Sequence, residues 1–216
     1  MNTLTSPPLA AILAQLLADA EATAAKLFQQ LSPAEIDAFK GKGDYRELYG
    51  RMKDFHLAVS RDTGVLLYML ARSTGARAII EFGTSFGIST LHLAAALKDN
   101  GGGHLITTEF EPSKIIRARE NIRAANLSDL VEIREGDALE TLAHDLPDTI
   151  DLVLLDGAKA LYPRVLSLLE SRLRVGALII ADNADWSPDY MAKVRSQTGD
   201  YLSVPFGGDV ELSMKR

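Results

Sequence analysis

Two short aliphatic runs, Ile150–Leu155 (interrupted only by Asp151) and residues 177–181, constrain the fold more than any other feature of the chain. Neither alternates apolar with polar residues, so neither suits a strand with one wet face. Both read as strands of a parallel sheet buried on both sides. Three more strands are predicted upstream, near 78–82, 104–109 and 130–135, with helical patterns between the strands near 87–98, 112–126, 138–144 and 161–172. Such alternation predicts a Rossmann-like, doubly wound α/β sheet with helices on both faces. Residues 201–205 and 210–214 flank Gly207-Gly208 and read as a hairpin, which completes a mostly parallel seven-stranded sheet with an antiparallel closing strand.

The ends of the two aliphatic runs carry chemistry. Asp156-Gly157-Ala158-Lys159 follows the first and Asp182-Asn183 the second. Ligands of open α/β sheets bind beyond the carboxyl ends of the strands, so these side chains are placed for a site. Asp156, Asp182 and Asn183 are hard oxygen donors, suited to magnesium or a similar divalent ion and unsuited to structural zinc. A single such Asp would more simply cap the next helix. Two of them with a carboxamide and a lysine favour the metal reading. Lys159, three residues after Asp156, reaches the same space, and partial burial beside a cation is expected to depress its pKa enough for it to act as a base.

A second site-forming stretch is 79–90, Ile-Ile-Glu-Phe-Gly-Thr-Ser-Phe-Gly-Ile-Ser-Thr, an apolar strand that enters a glycine-punctuated turn and then a helix. This is the first crossover of a nucleotide-binding fold, with Ser89 and Thr90 at the helix start. Glu109 ends the next strand, where an acid accepts hydrogen bonds from ribose hydroxyls. A nucleoside ligand is expected. The Gly83-x-x-x-Gly87 spacing departs from that of dinucleotide enzymes, which disfavours a nicotinamide-dependent oxidoreductase. Gly83-Thr84-Ser85-Phe86-Gly87 also matches the nucleophile elbow of α/β-hydrolases. That reading is rejected, because residues 1–75 read as helices only and the last histidine, His144, precedes Asp156 and Asp182.

Together, the glycine loop 81–89, Glu109, Glu135-Gly136-Asp137-Ala138, the Asp156 to Lys159 string with Tyr162, Ala181-Asp182-Asn183 and the tail 204–212 resemble the class I S-adenosylmethionine-dependent O-methyltransferases of the divalent-metal-dependent catechol and caffeoyl-CoA group. The resemblance covers residues 56–216. It implies that Asp156, Asp182 and Asn183 hold the metal and that Lys159 is the general base. It further implies that Val59, Ser60, Glu81, Gly83, Thr84, Ser89, Glu109, Asp156 and the backbone of Ala138 contact S-adenosylmethionine. Glu211 matches a substrate-facing glutamate of the catechol branch. Where the family often has a second acid, this chain has Ala158. From the residues themselves, Trp186 and Tyr190, with Phe206 on the hairpin, are candidates to wall a planar substrate.

The implied activity is methyl transfer to a hydroxyl of a small catechol-like or phenolic molecule. A metal-independent N- or O-methyltransferase and a non-catalytic ligand-binding protein are the alternatives. A formal net charge of −6 argues against a nucleic-acid partner. The absence of cysteine excludes disulfides and thiolate ligands. The apolar stretch 9–17 is too short to span a membrane and lacks a basic leader, so a cytoplasmic protein is expected. Its leucines continue at helical spacing to Leu31, an amphipathic face that packs on its own domain or on a partner. With helices also predicted at 34–40, 45–59 and 63–73, residues 1–75 are expected to form a helical extension to the methyltransferase core 76–216. That extension is expected to contribute to the substrate entrance and to a homodimer contact.

Overall fold

The computed structural model describes residues 2–30, 32 and 45–216. The predicted helix 34–40 lies outside them. The helices are α1 (Leu9–Gln30), α2 (Tyr45–Arg51), α3 (Arg61–Ser73), α4 (Ile88–Asp99), α5 (Pro112–Ala124), α6 (Ala138–Thr141), α7 (Tyr162–Leu169) and α8 (Pro188–Val194). The strands are β1 (Ala78–Phe82), β2 (His104–Glu109), β3 (Val131–Glu135), β4 (Ile150–Leu155), β5 (Leu173–Ala181), β6 (Tyr201–Phe206) and β7 (Val210–Lys215). They form one sheet in the order β3-β2-β1-β4-β5-β7-β6, parallel from β3 to β5, with β7 antiparallel to both of its neighbours.

Side-chain alternation along the central strands explains the continuous aliphatic runs. Ile79, Leu152, Leu154, Leu178 and Ile180 enter the core under α1, α3, α4 and α5, while Ile80, Phe82, Val153, Leu155 and Ile179 enter the core under α6, α7 and α8. Both faces are therefore dry, and neither tolerates a polar position that lacks a partner.

The amphipathic face of α1 packs on its own domain. Leu9, Leu13, Leu16 and Leu17 are buried in the first core against α4 and α5. The described half of the face on which a dimer contact was expected is thus covered from within the chain. Three expected boundaries differ. Residues 45–59 are helical only to Arg51; a turn follows in which Met52 is buried, and 56–60 then run extended across the glycine loop. The predicted helix 161–172 is divided into a 3-10 turn at Lys159–Leu161, α7 and a second 3-10 turn at Glu170–Arg172. β5 starts at Leu173, upstream of the aliphatic run, and passes an irregularity in its pairing at Gly176, whose φ is 79°.

The sheet order reverses between β1 and β4, and there the two loops meet at the closest approach a backbone allows. A Cβ on Gly83 (φ 106°) would lie 2.7 Å from the Asp156 carbonyl oxygen, and one on Gly157 would lie 2.4 Å from the Phe82 ring. Gly157→Ala is expected to destabilise the domain by about 1–3 kcal/mol through overpacking, lowering the thermal midpoint by roughly 2–10 °C. A melt superimposable on wild type would show that Phe82 yields without cost.

Candidate functional site

The carboxyl ends of the central strands are held by hydrogen bonds that continue the ladder past the strands. Asp156 N donates to Phe82 O (2.8 Å), Asp182 N to Leu155 O (2.9 Å), Thr84 N to Thr108 O (3.0 Å) and Gly136 N to Glu109 O (2.9 Å). The site residues are therefore fixed to the sheet, although each lies in a loop.

Asp156 and Asp182 lie within hydrogen-bonding reach of one another. Burial pushes Asp182 up to about 8, with the Asp156 carboxylate acting in the same direction. Burial also raises Asp156, against the pull of Lys159. Lys159 Nζ donates to Asp156 Oδ1 at 3.0 Å and is only 5% exposed. Burial lowers its pKa, but Tyr162 and the Asp156 carboxylate outweigh that and hold it well above the ordinary lysine value. Lys159 is the counter-ion of Asp156.

The third oxygen donor is set by a residue that the sequence reading left without a role. Asn183 sits in the left-handed region (φ 46°), which asparagine tolerates, and its Nδ2 donates to Asp209 Oδ2 at 3.2 Å. With the amide nitrogen so engaged, the carbonyl oxygen is the part of the carboxamide left to accept. Asp209 is tied in turn by Ala184 N to its carbonyl, 2.9 Å. The glycine pair before Asp209 signalled a hairpin and gave no hint of this contact. Among the described residues no three His, Cys, Asp or Glu side chains are grouped so as to hold a metal ion. Two neighbouring carboxyls and a carboxamide oxygen are a donor set of the kind a divalent cation takes, with the Lys159 ammonium competing for Asp156. Beneath them Tyr162, fully buried, donates from its hydroxyl to Asp182 O at 2.8 Å.

Beside this cluster, a cavity of about 380 Å³ opens over the ends of β1, β2, β3 and β4. Gly83, Glu109, Ala138 and Asp156, for which the resemblance implies cofactor contacts, line it together with Ser85, Thr108, Lys114, Asp137 and Ala158. Asp156 belongs to both the cavity and the donor cluster. α2 forms part of the wall: Arg46 and Tyr49 line the cavity, Arg46 pairs with Asp137, and Tyr49 reaches the Gly157 carbonyl at 3.4 Å. Ala158, in place of an acid, leaves that part of the wall apolar.

Other expected contacts lie elsewhere. Thr84 is turned under the loop, its hydroxyl bonded to Thr107 (2.6 Å) and to the Thr108 carbonyl. Glu81, fully buried, accepts from Thr90 at 2.6 Å, and burial raises its carboxyl to about 7. Ser89, buried in the first turn of α4, faces a small pocket shared with His56, Leu57 and Ala58. Those three residues cover the glycine loop, His56 stacking on Phe86 with ring centroids 4.1 Å apart. Val59 and Ser60, expected in that role, are respectively core and helix cap: Val59 is 3% exposed, and Ser60 Oγ accepts from Thr63 N at 3.0 Å.

The substrate-side candidates lie outside the lining of this cavity. Glu211 is 1% exposed and accepts two bonds from Arg195, at 2.8 and 2.6 Å, and a third from Ser203. Because Val210 and Leu212 face the first core, strand alternation turns Glu211 to the opposite face, toward the end of α8 and away from the cavity. Burial raises its pKa, but Arg195 and Ser203 outweigh this and hold the carboxyl below the usual range. Tyr190 is fully buried edge-on against Tyr162 and walls nothing. Trp186, half-buried, packs on Met52 with Tyr49, Phe55 and Leu57, outside the cavity lining. Phe206 is exposed on β6, also outside the lining.

Fold and site thus define a doubly wound α/β protein with a ligand cavity at its topological switch point and an oxygen-donor cluster sharing Asp156 with that cavity. The O-methyltransferase family model matches residues 44–204. Catechol O-methyltransferase of Niastella koreensis is 35% identical over 130 residues, 59% of this chain and 58% of that protein. Catechol O-methyltransferase of Mycobacterium tuberculosis is 32% identical over 164 residues, 72% of this chain and 74% of that protein. The O-methyltransferase TomG of Streptomyces achromogenes, solved in complex with SAM, has a TM-score of 0.65 at 27% identity, covering 86% of this chain and 91% of that one. The chain belongs to the O-methyltransferase family, in the catechol and caffeoyl-CoA group of class I S-adenosylmethionine-dependent enzymes. Against the first of these relatives the chain spans somewhat under two thirds of that protein's length. Among the described residues, no helix is long and apolar enough to cross a membrane.

Proposed function

We propose that this protein transfers the methyl group of S-adenosylmethionine to a hydroxyl of a small catechol-like or phenolic molecule, with a divalent cation, magnesium or a close equivalent, held by Asp156, Asp182 and Asn183. The observation that carries this is the double position of Asp156, on the cavity wall and in the oxygen-donor cluster beside Lys159. Methyl transfer is an in-line displacement that needs an oriented, deprotonated oxygen next to the sulfonium. A bound divalent cation supplies acidity and orientation to a coordinated hydroxyl. The chain's own residues do the rest. Glu109, Gly83 and Ala138 position the nucleoside, and Asp209 aims the Asn183 oxygen. Once the Asp156 charge is neutralised, Lys159 loses its own proton to solvent and, as the neutral amine, accepts the hydroxyl proton at Nζ. The apolar wall of Leu57, Ala158 and Leu161 excludes water.

Calorimetric titration with S-adenosylmethionine and with NAD, each with and without magnesium, tests the reading. Binding of the sulfonium cofactor, none of NAD, and methylation of a catechol only with the ion are expected. Methylation that persists in excess chelator would move the protein to a metal-independent N- or O-methyltransferase, and NAD binding would move it to an oxidoreductase.

A further inference from the structure

Glu109 is already heavily committed within the chain. Its Oε1 accepts from Phe110 N (2.9 Å) and Glu111 N (3.0 Å), and its Oε2 accepts from Ser85 N (2.9 Å). A carboxylate offers about four acceptor positions, so Glu109 has room for about one more hydrogen bond. A ribose presents two vicinal hydroxyls, and the second needs a partner from elsewhere. Lys114, in the first turn of α5, lines the same cavity and is 3% exposed. Among the described residues its ammonium makes no hydrogen bond and no ion pair; its near contact is the Phe86 ring, 5.6 Å from Nζ to the centroid. Glu111, the closest acid in sequence, is turned to Ser113. Burial lowers the Lys114 pKa, opposed by the charges of Glu109, Glu111, Asp156 and Asp54, none of which pairs with it. A buried ammonium with three donors and no acceptor is costly unless a ligand completes it.

We propose that Lys114 is a cofactor-binding residue that donates to the ribose hydroxyl oxygen left unserved by Glu109, so that the diol is held by an acid and an ammonium together. This rests on the S-adenosylmethionine reading above and adds a residue to it. The unpartnered hydroxyls of Ser85 and Thr108, which line the same cavity, fit a ligand richer in oxygens than the chain itself satisfies.

The test is calorimetry of the full chain and of Lys114→Met with S-adenosylhomocysteine, adenosine and 2′,3′-dideoxyadenosine. The variant should bind the first two about ten- to a hundredfold more weakly, the scale of one charge-assisted hydrogen bond. Its affinity for the dideoxynucleoside should change less than threefold. Equal losses on all three ligands would mark a structural effect. A loss on S-adenosylhomocysteine alone would put the contact on the methionyl part. Either result, or unchanged affinity throughout, overturns the proposal. If the methionine variant fails to fold, Lys114→Gln carries the same comparison with the same outcomes. Wild type that binds none of the ligands would instead remove the S-adenosylmethionine reading, and this proposal with it.

Discussion

Asp182→Ala is expected to lower methyl transfer about a thousandfold or more and to make the remaining rate indifferent to magnesium. A Lewis acid supplies several kcal/mol of transition-state stabilisation, and each 1.36 kcal/mol is a factor of ten. The variant removes one of only three oxygen donors. Asn183 and Asp156 then remain as an incomplete set, with Lys159 still paired to Asp156 at 3.0 Å. The fold should be unaffected, because what joins this position to β4 is the backbone bond from Asp182 N to Leu155 O, which the substitution leaves in place. The measurements are initial rates against magnesium and manganese concentration, a chelator control on wild type, and a thermal melt of the ion-free proteins. A variant with wild-type rate and wild-type magnesium dependence would remove Asp182 from the metal set.

Lys159→Met is expected to reduce turnover by about a hundredfold or more, with S-adenosylmethionine affinity nearly unchanged, since general-base contributions are typically ~10²–10⁴-fold. Methionine keeps the volume of a side chain that is 5% exposed, so the change bears on charge rather than packing. The pairing seen here sharpens the expectation. Because the ammonium neutralises a buried carboxylate, breaking the pair costs ~3–5 kcal/mol if Asp156 stays charged. Asp156, whose pKa burial already raises, can shed that cost by taking up a proton. The ion-free variant should therefore melt lower than wild type and regain stability when magnesium is added. Raising the pH should partly rescue turnover, because solvent hydroxide then takes the proton that Lys159 would have accepted. Rate profiles against pH that superimpose for wild type and variant would retire Lys159 as the base and leave it as the counter-ion of Asp156.

Local pattern was sufficient wherever one residue's environment follows from its neighbours in the chain. The runs at Ile150–Leu155 and 177–181 could only be strands covered on both sides, and the acids that close them could only emerge at one edge of the sheet. The glycine loop and Glu109 were legible for the same reason, since Gly83 must admit the Asp156 carbonyl and Glu109 ends the adjacent strand. The pattern failed where two environments share one local signature. Glu211 alternates with Val210 and Leu212 whether it faces a substrate or Arg195, and the direction depends on which core takes the valine and leucine. Tyr190 reads alike as a wall or as core, and Trp186 alike as a wall or as cover for Met52.

The sequence by itself determined the fold class and the strand edge at which the candidate site residues gather, because these follow from periodicity and from the topology it dictates. Only the tertiary structure decided the charge state of the site and the partners of its members. That α1 packs inward, that His56 rather than Val59 covers the glycine loop, and that Asp209 orients Asn183 are contacts between segments far apart in the chain. The raised pKa of Asp182, the pairing of Lys159 and, among the described residues, the lack of a hydrogen-bond partner for Lys114 are set by burial and by distances across the sheet, which no local spacing encodes.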